Sequence, residues 1–390
     1  MSRAFTVPRQ ILTGTGALEA SAPLLGSMGS HALIVTGQIV VTLPCFQTLQ
    51  ELLRAQGVAY TVFSGVTDEP TDQMIRAGAA AYTENSCDFL IGIGGGSPLD
   101  AMKGIAVLVS CGGSITDYMG KEISGKLPPM AAIPTTAGTG SEATQFTVIT
   151  DSIRGIKMLL KGQVLVPDLA VVDPALSVST PKRITAATGL DALTHAIESY
   201  TSRRRQPLTD TVALAAVKRI FRYLPQAYRN GADLTARSEL SVAALEAGMA
   251  INNASVTLVH GMSRPIGALF HVPHGISNAM LLEQCLRFAL DGAYPEFAAL
   301  ARAIGAADAG TPDPQAAEAL VDAVRELCRV CQVPTLEEYG IDRTAFFSVM
   351  EKMADDALAS GSPANTIKPV TRADVLRIYQ SLWEDGSSAP

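Results

Sequence analysis

The sequence predicts an α/β domain built on a parallel sheet, followed by an all-α domain. Residues 1 to about 180 alternate short β-rich runs with helical ones, whereas from Pro181 onward nearly every segment has the period of an amphipathic helix. The change of texture falls just after Val164–Asp173 (VLVPDLAVVD), so the boundary is placed at 180, with domains 1–180 and 181–390.

In chain order, HALIVT, YTVFSG, DFLIGIG, MAAIPTT and QFTVITD read as strands. Turn segments such as VTDEPT and Ala-rich stretches such as MIRAGAAAYTEN separate them. Apolar runs of four to six residues ending in Gly or Thr suit strands buried on both faces, as in a parallel sheet. In the second half TDTVALAAVKRIFRYL, ARSELSVAALEAGMAI, YPEFAALARAIG, PQAAEALVDAVRELC and TRADVLRIYQSLW read as helices. No internal repeat and no low-complexity tract interrupts them.

Composition narrows the function. Hydrophobic residues make up 47% and charged ones 17%, ample for a buried core. A net charge of −7 argues against nucleic acid as a partner, because phosphate binding needs a basic face. The one basic run, Arg203–Arg205, reads as a solvated helix end. MSRAFTVPRQIL lacks the pattern of a signal peptide, and the most apolar runs fall far short of the roughly 20 residues of a membrane span. Cys328 and Cys331 (CRVC) lack a second pair to complete a zinc ribbon and read as structural thiols on a helix. A reduced cytoplasmic enzyme is the expectation.

Two glycine-bearing loops point to a cofactor. DFLIGIGGGSPLDAMKGIAVLV is strand, turn, helix: Gly94, Gly95 and Gly96 let backbone approach a ligand, Ser97 caps the helix, and the helix start favours an anion such as a pyrophosphate. GGGS is neither G-x-G-x-x-G nor a Walker loop, so alone it equally describes a tight turn. After the next strand, IPTTAGTGSE adds Thr135, Thr136 and Thr139, and hydroxyls at two successive strand ends fit a dinucleotide over the sheet's carboxyl edge.

Four of the five histidines gather in two short neighbourhoods. TAATGLDALTHAIESY places Asp191 and His195 at i and i+4, on one helix face. VHGMSRPIGALFHVPHG supplies His260, His271 and His274, and reads as a turn between helices. Asp191, His195, His260 and His274 make an N3O set suited to a divalent first-row metal, iron(II) or zinc.

With GIGGGSPLDAMK, IPTTAGTGSEAT, VPDLAVVDPAL, TAATGLDALTHAIESYTS and VHGMSRPIGALFHVPHGISNAMLL in this order and spacing, the chain resembles the iron-containing (group III) alcohol dehydrogenase family over nearly its whole length. The resemblance implies a Rossmann-like NAD(P) domain, a helical domain of dehydroquinate synthase-like architecture, and a metal in a cleft between them. It implies Asp191, His195, His260 and His274 as ligands of Fe(2+), with Zn(2+) or another divalent ion as the alternative. It places the pyrophosphate on Gly95, Gly96 and Ser97, the adenosine and diphosphate region by Thr135, Thr136 and Thr139, and Lys157 at the nicotinamide ribose. His271 has no ligand role by position and is expected in the pocket wall or packed behind the ligands. The activity implied is NAD(P)-linked interconversion of a short primary alcohol and its aldehyde by a homo-oligomer, dimer or larger.

Two departures from the family pattern bear on specificity. Gly37 stands at a strand end where NAD-preferring members often carry Asp, which removes a repulsion toward a 2′-phosphate and leaves NAD(H) against NADP(H) open; Glu69, where many relatives have Asn, adds a carboxylate that could restore discrimination. Arg264 stands where many relatives place a histidine. Arginine is a poor general base but holds anions bidentately, so an anionic tail on the substrate is expected (a hydroxy acid and its semialdehyde, or a sulfonate or phosphonate analogue), against a structural ion pair or a place facing the cofactor. Phe146, Ile251 and Phe270 are expected to line the apolar part of the pocket. The alternatives are a dehydroquinate synthase-like lyase, which the D-x-x-x-H and H-G-M pattern fits poorly; a glycerol dehydrogenase-like enzyme, which has fewer ligands; and an assembly-forming protein with secondary catalysis.

Overall fold

The structure is a computed structural model and describes residues 2–384. It divides into two units: Phe5–Thr180 with Gly231–Asn252, and Pro181–Asn230 with the described residues from Asn253 onward and the N-terminal residues up to Ala4.

The α/β unit is organised by strands with apolar residues on both faces. β1 (Gln10–Thr13), β2 (His31–Val35), β3 (Ala59–Phe63), β4 (Phe89–Gly94), β5 (Met130–Pro134) and β8 (Leu169–Val172) form one sheet in the order β1-β8-β5-β4-β2-β3, every pair parallel. Successive residues of β2 and β4 serve opposite layers. Leu33, Val35 and Leu90 pack with Leu99, Met102 and Ile105 of helix Gly96–Cys111. Ala32, Ile34, Ile91 and Ile93 pack with Phe46, Leu49 and Leu53 of helix Pro44–Ala55. Helices therefore cover both faces, which is why these strands read as continuous apolar runs. The order reverses between β2 and β4, the topological switch point at which open α/β sheets bind ligands beyond the strands' carboxyl ends.

QFTVITD departs from the expected buried parallel strand. It forms β6 (Phe146–Asp151), antiparallel to β7 (Ile156–Lys161) in a separate two-stranded ribbon. Ile149, Met158 and Leu160 are buried, whereas Val148 and Leu159, paired across the ribbon, are exposed. Period-two alternation was the signal.

The expected cut falls at residue 180, and residues 231–252, beyond it in sequence, group with the α/β unit by their contacts. Leu245 joins Ala143 and Val172 in a small core. A Cβ on Gly248 would lie 2.8 Å from Gly140 Cα, so two glycines permit backbone contact there. Asn252 Oδ1 accepts from Gln145 N at 2.8 Å, and Gln145 Nε2 donates to Asn252 O at 2.9 Å.

Beneath the loops of this unit lies a buried charge cluster. Lys103 Nζ donates to Thr144 O (2.8 Å), Thr144 Oγ1 (3.1 Å) and Phe146 O (2.9 Å), while Asp100 accepts from Ser141 Oγ and Val148 N. Burial pushes the Lys103 ammonium down to about 8 and the Glu142 carboxyl up to about 7. Glu142's folded value lies above its ordinary 4.5, so its stabilising contribution is complete below 4.5 and is lost as pH rises to about 7. Between those pH values wild type is expected to lose up to about 3 kcal/mol relative to Glu142→Gln. Denaturant titrations of both proteins across that window check this; parallel stability curves would refute it.

The second unit is helical as expected. Its core includes Phe297, Phe346 and Tyr379, all buried, and Tyr379 OH donates to Met262 O at 2.7 Å. The basic run is not simply solvated. Arg203 donates to Thr366 O and Ile367 O, and Arg205 pairs with Asp210 (2.8 Å) and Glu296 (2.6 Å). All six cysteines are unpaired, and burial pushes Cys328 and Cys331 each up to about 12, which keeps them as inert thiols. Among the described residues no single helix is long and apolar enough to cross a membrane.

Candidate metal centre and cofactor loops

Helix Lys182–Tyr200 is buried along nearly its whole length and presents Asp191 and His195 one turn apart. His260 sits in the first turn of helix Leu258–Phe270, and His274 opens helix His274–Ala289. The expected turn between helices is thus shorter than it looked: Pro265 lies inside the first helix, and only residues 271–273 separate the two. His271 ends the first helix in the left-handed conformation (φ 53°) and is exposed. Its place is explained by chain reversal rather than by the ligands.

Close packing brings the donors together. A Cβ on Gly275 would lie 2.3 Å from Ala187 O, so only glycine lets the His274 helix start against helix Lys182–Tyr200. The four donor atoms lie within 4.8 Å of one another. Asp191 Oδ1 is 3.8 Å from His195 Nε2, 3.8 Å from His260 Nε2 and 3.6 Å from His274 Nε2. Tetrahedral bonds to a divalent ion would set donors about 3.4 Å apart, so both spacing and donor chemistry fit such an ion. His274 is the partly exposed member, at 38% of its side chain, while the other three are buried.

The electrostatics suit the same use. Burial raises the Asp191 carboxyl, but His195, His274, His260 and the Asn278 amide outweigh it and hold the group below its ordinary value. Burial and the neighbouring His195 and His274 hold His260 well below the usual imidazole range. It therefore presents a neutral ring with a lone pair to share.

Two residues of this site escaped the sequence reading. Glu198, fully buried, has Oε2 2.6 Å from His260 Nδ1. Asn278 Nδ2 donates to Asp191 Oδ1 at 2.7 Å. Each stands at helical spacing from a donor, Glu198 three after His195 and Asn278 four after His274, and that spacing was the available signal.

In the α/β unit the two cofactor loops touch. Thr135 N donates to Gly94 O at 2.8 Å, a Cβ on Gly96 would meet the Thr139 side chain at 2.7 Å, and one on Gly95 would lie 3.6 Å from Thr136 Oγ1. Gly95 precedes helix Gly96–Cys111, whose first turn holds Ser97 and leaves backbone N–H groups for an anion. Gly37 follows β2 at the switch point, and a Cβ there would lie 2.9 Å from Val66 O, so backbone crowding excludes side chains. Lys157, on β7, is ion-paired with Glu69 at 2.6 Å.

Of the residues expected around a substrate, Phe146 and Ile251 belong to the α/β unit, and Arg264, Phe270 and His271 to the helical unit. Phe270 stacks on Phe346 at 5.6 Å, an aromatic packing role. Arg264, one turn after His260, is partly buried. Burial lowers its pKa against the opposing charge of Glu198, and its one hydrogen bond among the described residues runs from Nη1 to Ser362 Oγ at 3.2 Å. The structural ion pair weighed for it is not formed among those residues.

A doubly wound α/β unit with glycine loops at its switch point, and a helical unit with an N3O cluster, are the features of a metal- and dinucleotide-dependent enzyme. The chain belongs to the iron-containing alcohol dehydrogenase family: residues 8–174 match the family model described as iron-containing alcohol dehydrogenase, and residues 185–383 match its C-terminal counterpart. A choline dehydrogenase of Bacillus subtilis (strain 168) is 35% identical over 365 residues, 92% of this chain and 90% of the relative. A solved 1,3-propanediol oxidoreductase has a TM-score of 0.95 at 33% identity, covering 98% of this chain and all of the other. The sulfoacetaldehyde reductase of Bifidobacterium kashiwanohense, solved in complex with NAD+, has a TM-score of 0.86 at 29% identity and full coverage of both chains. The chain is an oxidoreductase that interconverts alcohols and aldehydes, and its family implies a divalent metal and NAD(H).

Proposed function

We propose that this enzyme interconverts a short primary alcohol bearing an anionic tail with the corresponding aldehyde, the tail being a carboxylate, sulfonate or phosphonate. The observation that carries this is Arg264, a partly buried cation one helical turn from His260 that has the charge of Glu198 opposite it but no carboxylate within ion-pair distance among the described residues. A buried charge without a partner is costly, and an anionic ligand relieves that cost. The likeness to a sulfoacetaldehyde reductase supports the same class of tail.

Asp191, His195, His260 and His274 would hold the metal, iron(II) by family, and Gly95, Gly96, Ser97, Thr135, Thr136, Thr139 and Lys157 the dinucleotide. When bound, the ion supplies Lewis acidity to the alcohol or carbonyl oxygen, and the dinucleotide takes or gives the hydride. Asp191 offsets one positive charge and leaves the site net positive toward a developing alkoxide. Arg264 stays protonated, so it orients the substrate without exchanging a proton. Unpaired cysteines support a reducing, cytoplasmic setting. A homo-oligomer, dimer or larger, follows the family pattern.

Kinetics of the anaerobically iron(II)-loaded enzyme over a panel of neutral and anionic short aldehydes, with NADH and NADPH, test this reading. Higher kcat/KM for the anionic members is expected. Preference for neutral ones would remove Arg264 from substrate binding.

For the cofactor, Gly37 leaves a 2′-phosphate unopposed, so NADPH is expected to be used beside NADH. The Glu69 carboxylate occupies Lys157. A half-exposed pair is worth at most about 1 kcal/mol, so Glu69→Gln is expected to tighten dinucleotide binding by up to about fivefold. Fluorescence titration checks this; unchanged or weaker binding would mean that Glu69 orients Lys157 rather than competing for it.

A further inference from the structure

Two donors and an imidazole nitrogen converge on one buried carboxyl group behind the metal centre. Glu198 Oε1 accepts from Thr257 Oγ1 at 2.7 Å and from Val259 N at 2.7 Å, and Glu198 Oε2 lies 2.6 Å from His260 Nδ1. Val259 N–H is one of the orphan donors that every helix start leaves, so the carboxylate caps helix Leu258–Phe270 from outside it. The same group thus holds the helix start and the imidazole in that helix's first turn. His195 has no such support, since its Nδ1 is buried without a protein partner among the described residues.

We propose that Glu198 is a positioning residue of the metal centre. By accepting from His260 Nδ1 it fixes the tautomer whose Nε2 lone pair faces Asp191, His195 and His274, and through Val259 N–H it sets where that ring stands. The proposal rests on the ligand set given above. Its physical core is acceptor count. Both oxygens of Glu198 must accept, and a neutral amide of the same shape cannot do so. In Glu198→Gln the NH2 group either opposes Val259 N–H or faces His260 Nδ1. In the second case it favours the tautomer with the proton on Nε2, where it blocks coordination.

Metal affinity of the apo-protein, measured by Zn2+ and Co2+ titration against a chelating indicator, reads this without recourse to activity. Glu198→Gln is expected to lose about 10- to 100-fold in affinity, the usual effect of removing a partner behind a ligating histidine, and to shift the visible bands of the cobalt(II) form. Thr257→Val, which removes one cap bond and leaves the His260 bond, is expected to lose stability and keep near wild-type affinity. Wild-type affinity and bands in Glu198→Gln, or an equal loss in Thr257→Val, would overturn the proposal.

A measurement on the wild-type protein covers the case in which Glu198→Gln does not fold. With five histidines in the chain, 15N-histidine spectra of the metal-free protein, assigned with His260→Ala, report each tautomer. A proton on His260 Nδ1 supports the proposal and one on Nε2 overturns it. Failure of wild type to take up one ion per chain would instead bring down the ligand set itself.

Discussion

Asp191→Ala is expected to lose its metal and to fall by on the order of 10³-fold or more in kcat/KM for aldehyde reduction. Asp191 Oδ1 is the atom common to the cluster, 3.6 to 3.8 Å from all three imidazole donors, and it is the only anion among the four. Without it three imidazoles remain, two of them buried, with no anion among them to offset a dication. Bound metal per chain by elemental analysis and the rate of NADH oxidation check the two halves together. Full metal content with near wild-type turnover would show that the reaction does not use this cluster. Because the Asn278 amide also loses its shortest contact, the folded state of the variant has to be verified by circular dichroism.

Arg264→Ala is expected to lose about 10²-fold or more in kcat/KM for an anionic aldehyde, the range set by removing one partner of a desolvated charge pair. For a neutral aldehyde of equal length it is expected to stay close to wild type. The contrast matters more than either number, since a misfolded or metal-depleted protein would lose both substrates alike. Stability offers an independent check. Arg264 makes one hydrogen bond, to Ser362, and no ion pair among the described residues, so its burial costs the free enzyme more than it returns. Arg264→Met is therefore expected to melt at or above the wild-type temperature. A large drop in melting temperature would assign the guanidinium to the fold. Equal losses for charged and neutral aldehydes would remove the anionic tail from the substrate.

Where a local period or a spacing carried the information, sequence alone was sufficient. Asp191 and His195 are readable as one helix face because an α-helix repeats every 3.6 residues. The parallel sheet is readable because strands covered on both faces cannot alternate, and the glycines of IGIGGGS mark a place where backbone must come close. The N3O donor set was legible as a gathering of scarce histidines, and the structure brings those four side chains together.

What tertiary structure alone decided are the contacts between segments distant in sequence. Glu198 sits beside His260 although 62 positions separate them, and Lys157 meets Glu69 across 88. The 231–252 segment reads as one more amphipathic helix, yet Gly248 against Gly140 and Leu245 on Val172 place it in the α/β unit. For Arg264 the sequence left open an anion clamp, a structural ion pair or a place facing the cofactor, and only packing shows that its hydrogen bond runs to Ser362, 98 positions away. Periodicity records which face of an element is buried. The group that completes a hydrogen bond or leaves a charge unpaired is chosen only when the elements pack, because that choice depends on distance in space and on exclusion of water.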